Sequence, residues 1–538
     1  SSLIRERFPI RTIQIDESDK KNILDAILSS IPKNSRILIN AFVSPKELKD
    51  RIFFPDNENY FVKELMKISN RIILASLGSP YLLMGFPEVS TYLCAYKGSA
   101  IMQSALSKAL MGKENISGRL PISIPGMFDI GSGIFLEKKF NQEEKKQFSP
   151  GKLMLRVRPQ SVDANISNIE KLMDQAVNER AWPGGVLLAA KDGNIFYQRG
   201  HGYHTYDKKK PTRSSDIFDL ASITKVVSTT SAIMKLQDLN KIDINKPVVK
   251  YLPEFKGATK KHISQKSSIT IKDLLAHVSG LPPFKKYYET EKTKTSLLKS
   301  IYDTDPIYEN RDTTIYSDVG AIILGQIVEK VSGLTLDVFV DSMVFEPLGM
   351  GTTFFNPPKE KKHRIVPTEI SKDGRLIHGY VHDENAYALN GIAGHAGLFS
   401  TVKDIAVFSQ MMLNGGLYGW KRIFKNETVN QFTNKANILE NSSRLLGWDS
   451  PDGQASGGVY LSDSSFGHTG FTGTSLWIDP DNKIIVVLLT NAVHPNRNRK
   501  SPSYYDWRQR IHSSVYEALS IVDINPKLKL RAKWDNME

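Results

Sequence analysis

Ser222 and Lys225 stand three residues apart where an apolar stretch begins, a spacing that puts both side chains on one helix face with the ammonium within reach of the hydroxyl. A serine hydroxyl is a poor nucleophile until a base takes its proton, and a lysine shielded from water can have its pKa lowered enough to be that base. The spacing alone decides nothing, because it recurs at Ser18/Lys21, Ser30/Lys33, Ser149/Lys152, Ser296/Lys299 and Ser400/Lys403. Context separates Ser222 from these. It follows Phe218-Asp-Leu-Ala221 and opens the stretch Ile223 to Leu239, where Ile223, Val226, Val227, Ile233 and Met234 recur at helical spacing and predict a buried helix.

Two later segments extend the pattern. Tyr316-Ser317-Asp318 precedes an apolar helix from Ala321 to Val331, and His468-Thr469-Gly470 precedes a strand hairpin. The three segments, in this order, resemble the motifs of serine β-lactamases and penicillin-binding proteins. That resemblance implies that Tyr316 lies beside the Ser222 hydroxyl and shuttles its proton to the leaving nitrogen, with nearby cations favouring the ionised phenol. Lys225 would supply that field and act as base or co-base. The segment His468-Thr469-Gly470 would form an edge strand along one wall of the site. There Gly470 would let substrate approach the backbone, and the N–H groups of Ser222 and Phe471 would make an oxyanion hole.

At 538 residues the chain exceeds one ordinary core, which points to two or three domains. Residues 1–136 alternate strand-like and helix-like segments: Thr12–Ile15, a helix around 23–31, 36–42, a helix near 60–69, 71–77, 91–96 and a helix from about 99 to 110. Continuous β-branched runs separated by helices predict a small parallel α/β domain. Residues 137–159, charged and poor in apolar residues, read as a linker. A second domain, 160–522, begins with a helix through Ile169, Leu172 and Ala176. Hairpins follow at Val186–Ala190/Ile195–Gln198 and, far downstream, at Ser475–Ile478/Ile484–Thr490. They bracket a helical middle and predict an α+β domain whose sheet is built from both of its ends. Residues 523–538 read as a C-terminal tail.

The net charge of +14 comes from lysines spread along the chain, without an arginine-rich arm or a nucleic-acid module, so no nucleic-acid partner is expected. A solvated basic surface is the expected form, with attraction to anionic cell-wall material as the other reading. The single cysteine, Cys94, lies in an apolar run and reads as a buried thiol. No apolar stretch reaches the ~18 residues that span a bilayer, and no signal peptide is read. The chain opens with Ser-Ser rather than methionine and so reads as processed, cleaved or engineered.

Further segments narrow the resemblance. Residues 160–515 resemble the serine β-lactamase superfamily throughout, including Leu274-Leu-Ala-His277-Val-Ser-Gly-Leu281 and Pro347-Leu-Gly-Met350. Val381-His382-Asp383-Glu384-Asn385-Ala386 and Gly391-Ile-Ala-Gly-His395-Ala-Gly-Leu-Phe-Ser400 look like the branch containing N-acetylmuramoyl-L-alanine amidases of peptidoglycan recycling. Asn491-Ala-Val-His494-Pro495-Asn496 fits the same branch. Residues 1–136 resemble the C-terminal α/β domain of glycoside hydrolase family 3, through Ser76-Leu-Gly-Ser-Pro-Tyr81 and Asn115 to Pro125. In that family a barrel carrying the catalytic carboxylate precedes this domain. The resemblance thus implies a fusion of β-N-acetylglucosaminidase and amidase, with the barrel as a missing partner, a muropeptide or peptidoglycan fragment as substrate, and a periplasmic or secreted location.

Position 318 is aspartate where many relatives carry asparagine, and 468 is histidine where many β-lactamases carry lysine; both argue against efficient β-lactam hydrolysis. Asp318, His468, Thr469 and Gly470 are expected to line the substrate. His382 and His395 could be read as a metal pair, but no ligand spacing joins them. They are expected in substrate-wall or structural roles, with no metal or cofactor. Three readings stand: an amidase working through a Ser222 acyl-enzyme; a β-lactamase, D-Ala-D-Ala carboxypeptidase or esterase using the same serine; and a non-catalytic penicillin-binding module.

Overall fold

The β-branched runs near the start of the chain form three short strands: β1 (Ile37–Ala41), β2 (Ile72–Ser76) and β3 (Thr91–Cys94). They pair in parallel in the order β1-β2-β3. Helices Lys21–Ser29 and Asp56–Ile68 close one layer of core over them with Leu24, Leu28, Phe61 and Leu65, and Leu106 of helix Ala100–Leu110 packs with Ala75 and Leu77. Residues 12–15, expected as a strand, carry no strand assignment: Ile15 packs against this core while Thr12 to Gln14 are exposed. Cys94 is half-buried, and burial pushes its thiol up.

This computed structural model describes residues 12–15, 19–43, 54–136 and 151–531, apart from 34, 113, 117, 135, 258, 420, 437, 440–441, 454–455 and 500–501. The chain divides into two compact units, 1–149 and 150–538.

The second unit is an α+β domain around a six-stranded sheet: β4 (Leu155–Arg156), β5 (Gly184–Lys191), β6 (Asn194–Gly202), β12 (Phe466–Gly470), β13 (Thr474–Asp479) and β14 (Ile484–Thr490). Its order is β12-β13-β14-β5-β6-β4. All neighbours are antiparallel except β4 and β6. The central β14 shows the period of two that a sheet covered on both faces requires. Its Val486 and Leu488 face a core with helices Ser167–Asn178 and Ser503–Ala518, while Ile485, Val487 and Leu489 face the larger core of the helical middle. Truncating a buried side chain such as Leu488 to alanine in such a core costs about 2–5 kcal/mol. Smaller β elements complete the unit: β7 (Phe218–Asp219), β8 (Phe354–Phe355) and β9 (Leu398–Ser400) in the order β7-β9-β8, and the hairpin β10 (Leu417–Tyr418)/β11 (Lys421–Arg422).

Two boundaries differ from those read in the sequence. Leu155 and Arg156 of the expected linker pair with Asn194 and Ile195, so residues 151–159 belong to the sheet domain, and 137–150 lie outside the described residues. The expected tail also packs. Leu528 is buried and Lys529 donates to the Gly453 carbonyl at 3.0 Å, with 532–538 outside the described residues. No single helix among the described residues is long and apolar enough to cross a membrane; the bent pair Asp318–Ser332 and Leu336–Leu348 approaches that composition and supplies the helical core.

Candidate active site

The turn before the nucleophile is fixed first. Buried Asp219, at the end of β7, accepts the Ala221 N–H at 2.9 Å and the His382 N–H at 2.7 Å. Ala221 is held at φ +45°, a left-handed conformation that a non-glycine residue adopts only when its surroundings impose it. Ser222 follows at the start of the expected buried helix, which runs as a π-turn over Lys225–Thr230 and then as Ser231–Asp238. A wide π-turn is a common device where a helix must aim side chains at a site. Ser222 is partly exposed and Lys225 is 3% exposed, as a nucleophile and its buried partner should be.

Three oxygens surround Lys225 Nζ: Ser222 Oγ at 2.8 Å, the His395 carbonyl at 3.1 Å and Asp318 Oδ1 at 2.7 Å, the last as an ion pair rather than an aligned hydrogen bond. This corrects two expectations. Asp318 does not serve as a substrate-facing group alone; it opens helix Asp318–Ser332, N-capped by Ser317, and neutralises Lys225. Nor is the lysine pKa lowered. Burial does push it down, but Asp318 and Tyr316 outweigh burial and hold it above its ordinary value, so Lys225 rests as an ammonium.

Tyr316 lies with its ring centroid 4.9 Å from Lys225 Nζ, 5.0 Å from the Arg444 guanidinium carbon, 4.8 Å from the His277 ring and 5.9 Å from the His468 ring. Part of its surface stays open, yet enclosure pushes the phenol up; Lys225 pulls the other way without winning. The expected ionised phenol is thus corrected to a neutral one at rest. A neutral phenol between Ser222 and the leaving nitrogen can take the serine proton while giving up its own. The Lys225 ammonium stabilises the negative charge that develops between them.

The strand β12 forms the wall. Two threonines after Phe471 are tied to the backbone before the nucleophile, Thr472 Oγ1 to the Asp219 carbonyl at 2.7 Å and Thr474 Oγ1 to the Leu220 carbonyl at 2.9 Å. A Cβ on Gly470 would lie 2.4 Å from the Leu220 oxygen and 3.3 Å from Ala221 Cβ. Gly470 is therefore needed for this backbone approach. The contact holds the backbone on either side of Phe471 against the turn before Ser222, and the N–H groups of Ser222 and Phe471 remain the expected oxyanion donors. Thr469 is half-buried and its carbonyl accepts from His468 Nδ1 at 2.7 Å. That bond leaves the buried Nε2 as an unpaired acceptor. Burial takes His468 down to about 4, so it is a neutral imidazole and supplies no cation for a substrate carboxylate.

His382 and His395 do not form a pair. Each is buried and bonded to its own carboxylate, His382 Nε2 to Glu369 at 2.9 Å and His395 Nε2 to Asp383 at 2.8 Å, so both are supports rather than substrate contacts. Sequence reasoning did not single out His277, Arg444, Asp383, Glu369 or Arg497. His277 and Asp383 stand inside the segments that carry the family resemblance. Arg444, Glu369 and Arg497 carry no local signal, because what places them is folding over long sequence distances.

A nucleophilic serine, an ammonium, a phenol and a strand-borne amide around one partly open point define a serine hydrolase. The family model described as Beta-lactamase matches residues 169–510, and the chain belongs to that family. A putative D-alanyl-D-alanine carboxypeptidase of Salmonella typhi is 38% identical over 350 residues, covering 59% of this chain and 80% of the relative. Its counterpart in Salmonella typhimurium matches to the same extent. Among solved structures, the octameric penicillin-binding protein homologue from Pyrococcus abyssi superposes with a TM-score of 0.52 at 23% identity, covering 68% of this chain and 79% of that one. EstCE1, a hydrolase with promiscuous acyltransferase activity, gives 0.53 at 21% identity, with 66% and 99% covered. These two likenesses show the fold.

Proposed function

We propose that this serine hydrolase is an N-acetylmuramoyl-L-alanine amidase acting on peptidoglycan fragments. Ser222 attacks the lactyl carbonyl, Tyr316 protonates the departing L-alanine nitrogen, and water hydrolyses the ester on Ser222. The observation that carries the reading is the neutral, buried His468 on the substrate wall. A cation there would suit a substrate with a free carboxylate next to the scissile bond, whereas an internal amide needs none. The segment that resembles the amidase branch also contributes to the centre directly, through the His395 carbonyl on Lys225 and the Asp383 carboxylate behind it. The test compares kcat/KM for a muramoyl-L-alanyl peptide, a peptide ending in D-Ala-D-Ala, and nitrocefin. The muramoyl substrate is expected to lead. Efficient β-lactam turnover with no peptide freed from the muramoyl substrate would reverse the assignment.

A carboxypeptidase is the second reading, favoured by the names of the Salmonella relatives and by Arg444, whose guanidinium lies over Tyr316 while paired with Asp449. Release of D-alanine in the same comparison supports it. For residues 1–136 we keep the glycoside hydrolase family 3 C-terminal-like reading. Glycoside cleavage needs two catalytic groups flanking the bond, and the resemblance assigns the nucleophile to the barrel. This chain is therefore expected to release no chromophore from an aryl N-acetyl-β-glucosaminide while its amidase activity persists. Cleavage that co-purifies and survives Ser222→Ala would overturn that reading. The periplasmic or secreted location stays with the amidase proposal.

A further inference from the structure

Phe471 packs against a group of charged residues that the acyl-transfer steps do not use. Its ring is 46% exposed. The His382 imidazole stacks on it at 5.8 Å and 29°, and the Arg497 guanidinium carbon lies 5.8 Å from its centroid. One carboxylate holds both neighbours. Glu369 Oε2 accepts from His382 Nε2 at 2.9 Å and from Arg497 Nε at 2.7 Å, and Oε1 accepts the Arg497 backbone N–H at 2.8 Å. Arg497 Nη2 also meets Glu384 at 2.7 Å. The backbone N–H of His382 is bonded to Asp219, whose other oxygen accepts from Ala221, the residue before Ser222.

Glu369 is 5% exposed, and a buried carboxylate costs stability unless paired and hydrogen-bonded. Burial would raise its pKa, but the donors from His382 and Arg497 outweigh burial and bring it to about 2. The carboxylate is thus charged under all working conditions, and its two planar partners stay against the ring. An exposed phenyl group without such partners samples several rotamers, whereas a ring held between planar partners adds a restraint on its own backbone to the one that Thr472 supplies through the Asp219 carbonyl. Catalysis by a backbone N–H requires its peptide plane to be held before the reaction.

We propose that Glu369 is a positioning residue: by holding His382 and Arg497 against the Phe471 ring, it fixes the Phe471 N–H where the oxyanion develops. The inference rests on the acyl-transfer reading of the site and is independent of which amide or ester is cut.

The test uses the full chain with p-nitrophenyl acetate as acyl donor and phenylboronic acid as a reversible tetrahedral adduct on Ser222. Wild-type affinity for the boronate reports on the nucleophile itself. In Glu369→Gln, kcat is expected to fall about tenfold to a hundredfold with KM within about twofold, and the boronate dissociation constant to rise by the same factor as kcat falls. In a Phe471→Ala background the same substitution is expected to add no further loss, because the ring through which it acts is gone. Should Glu369→Gln not fold, Arg497→Lys keeps a cation on Glu369 but removes the planar group from the ring, and the same losses are expected. A rise in KM with kcat unchanged, an unaltered boronate affinity, or an equal loss in the Phe471→Ala background would overturn the proposal.

Discussion

Asp318 Oδ1 lies 2.7 Å from Lys225 Nζ, so the buried lysine beside the nucleophile carries its own partly exposed counter-ion. This pair, rather than burial, decides the charge at the centre of the site. Burial alone would lower the Lys225 pKa, and Asp318 with Tyr316 raises it. Asp318→Asn removes the charge and keeps the shape. Burial then prevails and the ammonium loses its proton at lower pH. The alkaline limb of kcat/KM against pH should therefore move to lower pH in the variant. An unmoved limb would show that Lys225 charge does not govern the rate.

Ser222→Ala deletes the hydroxyl that Lys225 meets at 2.8 Å and leaves the ion pair and the His395 contact in place. Turnover should fall by at least about a thousandfold with the thermal midpoint retained. Mass spectrometry after a slow acylating substrate should place the adduct on Ser222 in the parent chain. Label on any other residue would refute the nucleophile.

Two buried histidines make acid a specific threat. Burial takes His468 down to about 4, and burial with Arg508 takes His512 down to about 3. Between an unfolded value near 6.5 and these folded values, the unfolded chain binds more protons than the native one. Stability is therefore full above about pH 6.5 and falls as pH drops toward 4. Melting temperatures measured from pH 7.5 to 4.5 should decline along that window, and less steeply in His512→Gln. Parallel declines in the two proteins would rule out His512 as a contributor.

Gly470→Ala forces a Cβ to within 2.4 Å of the Leu220 oxygen and against Thr474 Oγ1, so β12 or the turn before Ser222 must shift. Overpacking of this kind costs about 1–3 kcal/mol. The denaturation midpoint should fall, and kcat should fall with it because the displaced turn carries the nucleophile. A variant with normal kcat would show that the strand can move without the turn.

The motifs and strands were legible where chemistry is local. The Ser222 helix, the hairpins Gly184–Gly202 and Thr474–Thr490, and the three parallel strands of the first unit follow from period and turn residues. What the sequence concealed is relational. Nothing near Asp318 announces that it neutralises Lys225, and nothing near Glu369 announces Arg497, because each meeting is made by folding. The same limit explains Leu155–Arg156, whose partner β6 gives a charged stretch its place in the sheet.

The register that joins Ile484 to Lys191 and Thr490 to Gly185 places the last strand of the hydrolase domain, β14, at the centre of its sheet. During synthesis on the ribosome, β5 and β6 emerge long before β14 and must wait as a hairpin with one open, apolar edge until nearly the whole domain has been translated. Pairings this distant in sequence form slowly, because the loop between them must be closed before they give any return. The helix bearing Ser222 lies within that loop, so the nucleophile is made early and its oxyanion wall late. A nascent chain stalled before β12 would carry Ser222 and Lys225 without the strand that gives them a reaction to perform, and its open β5 edge would be the surface a chaperone has to cover.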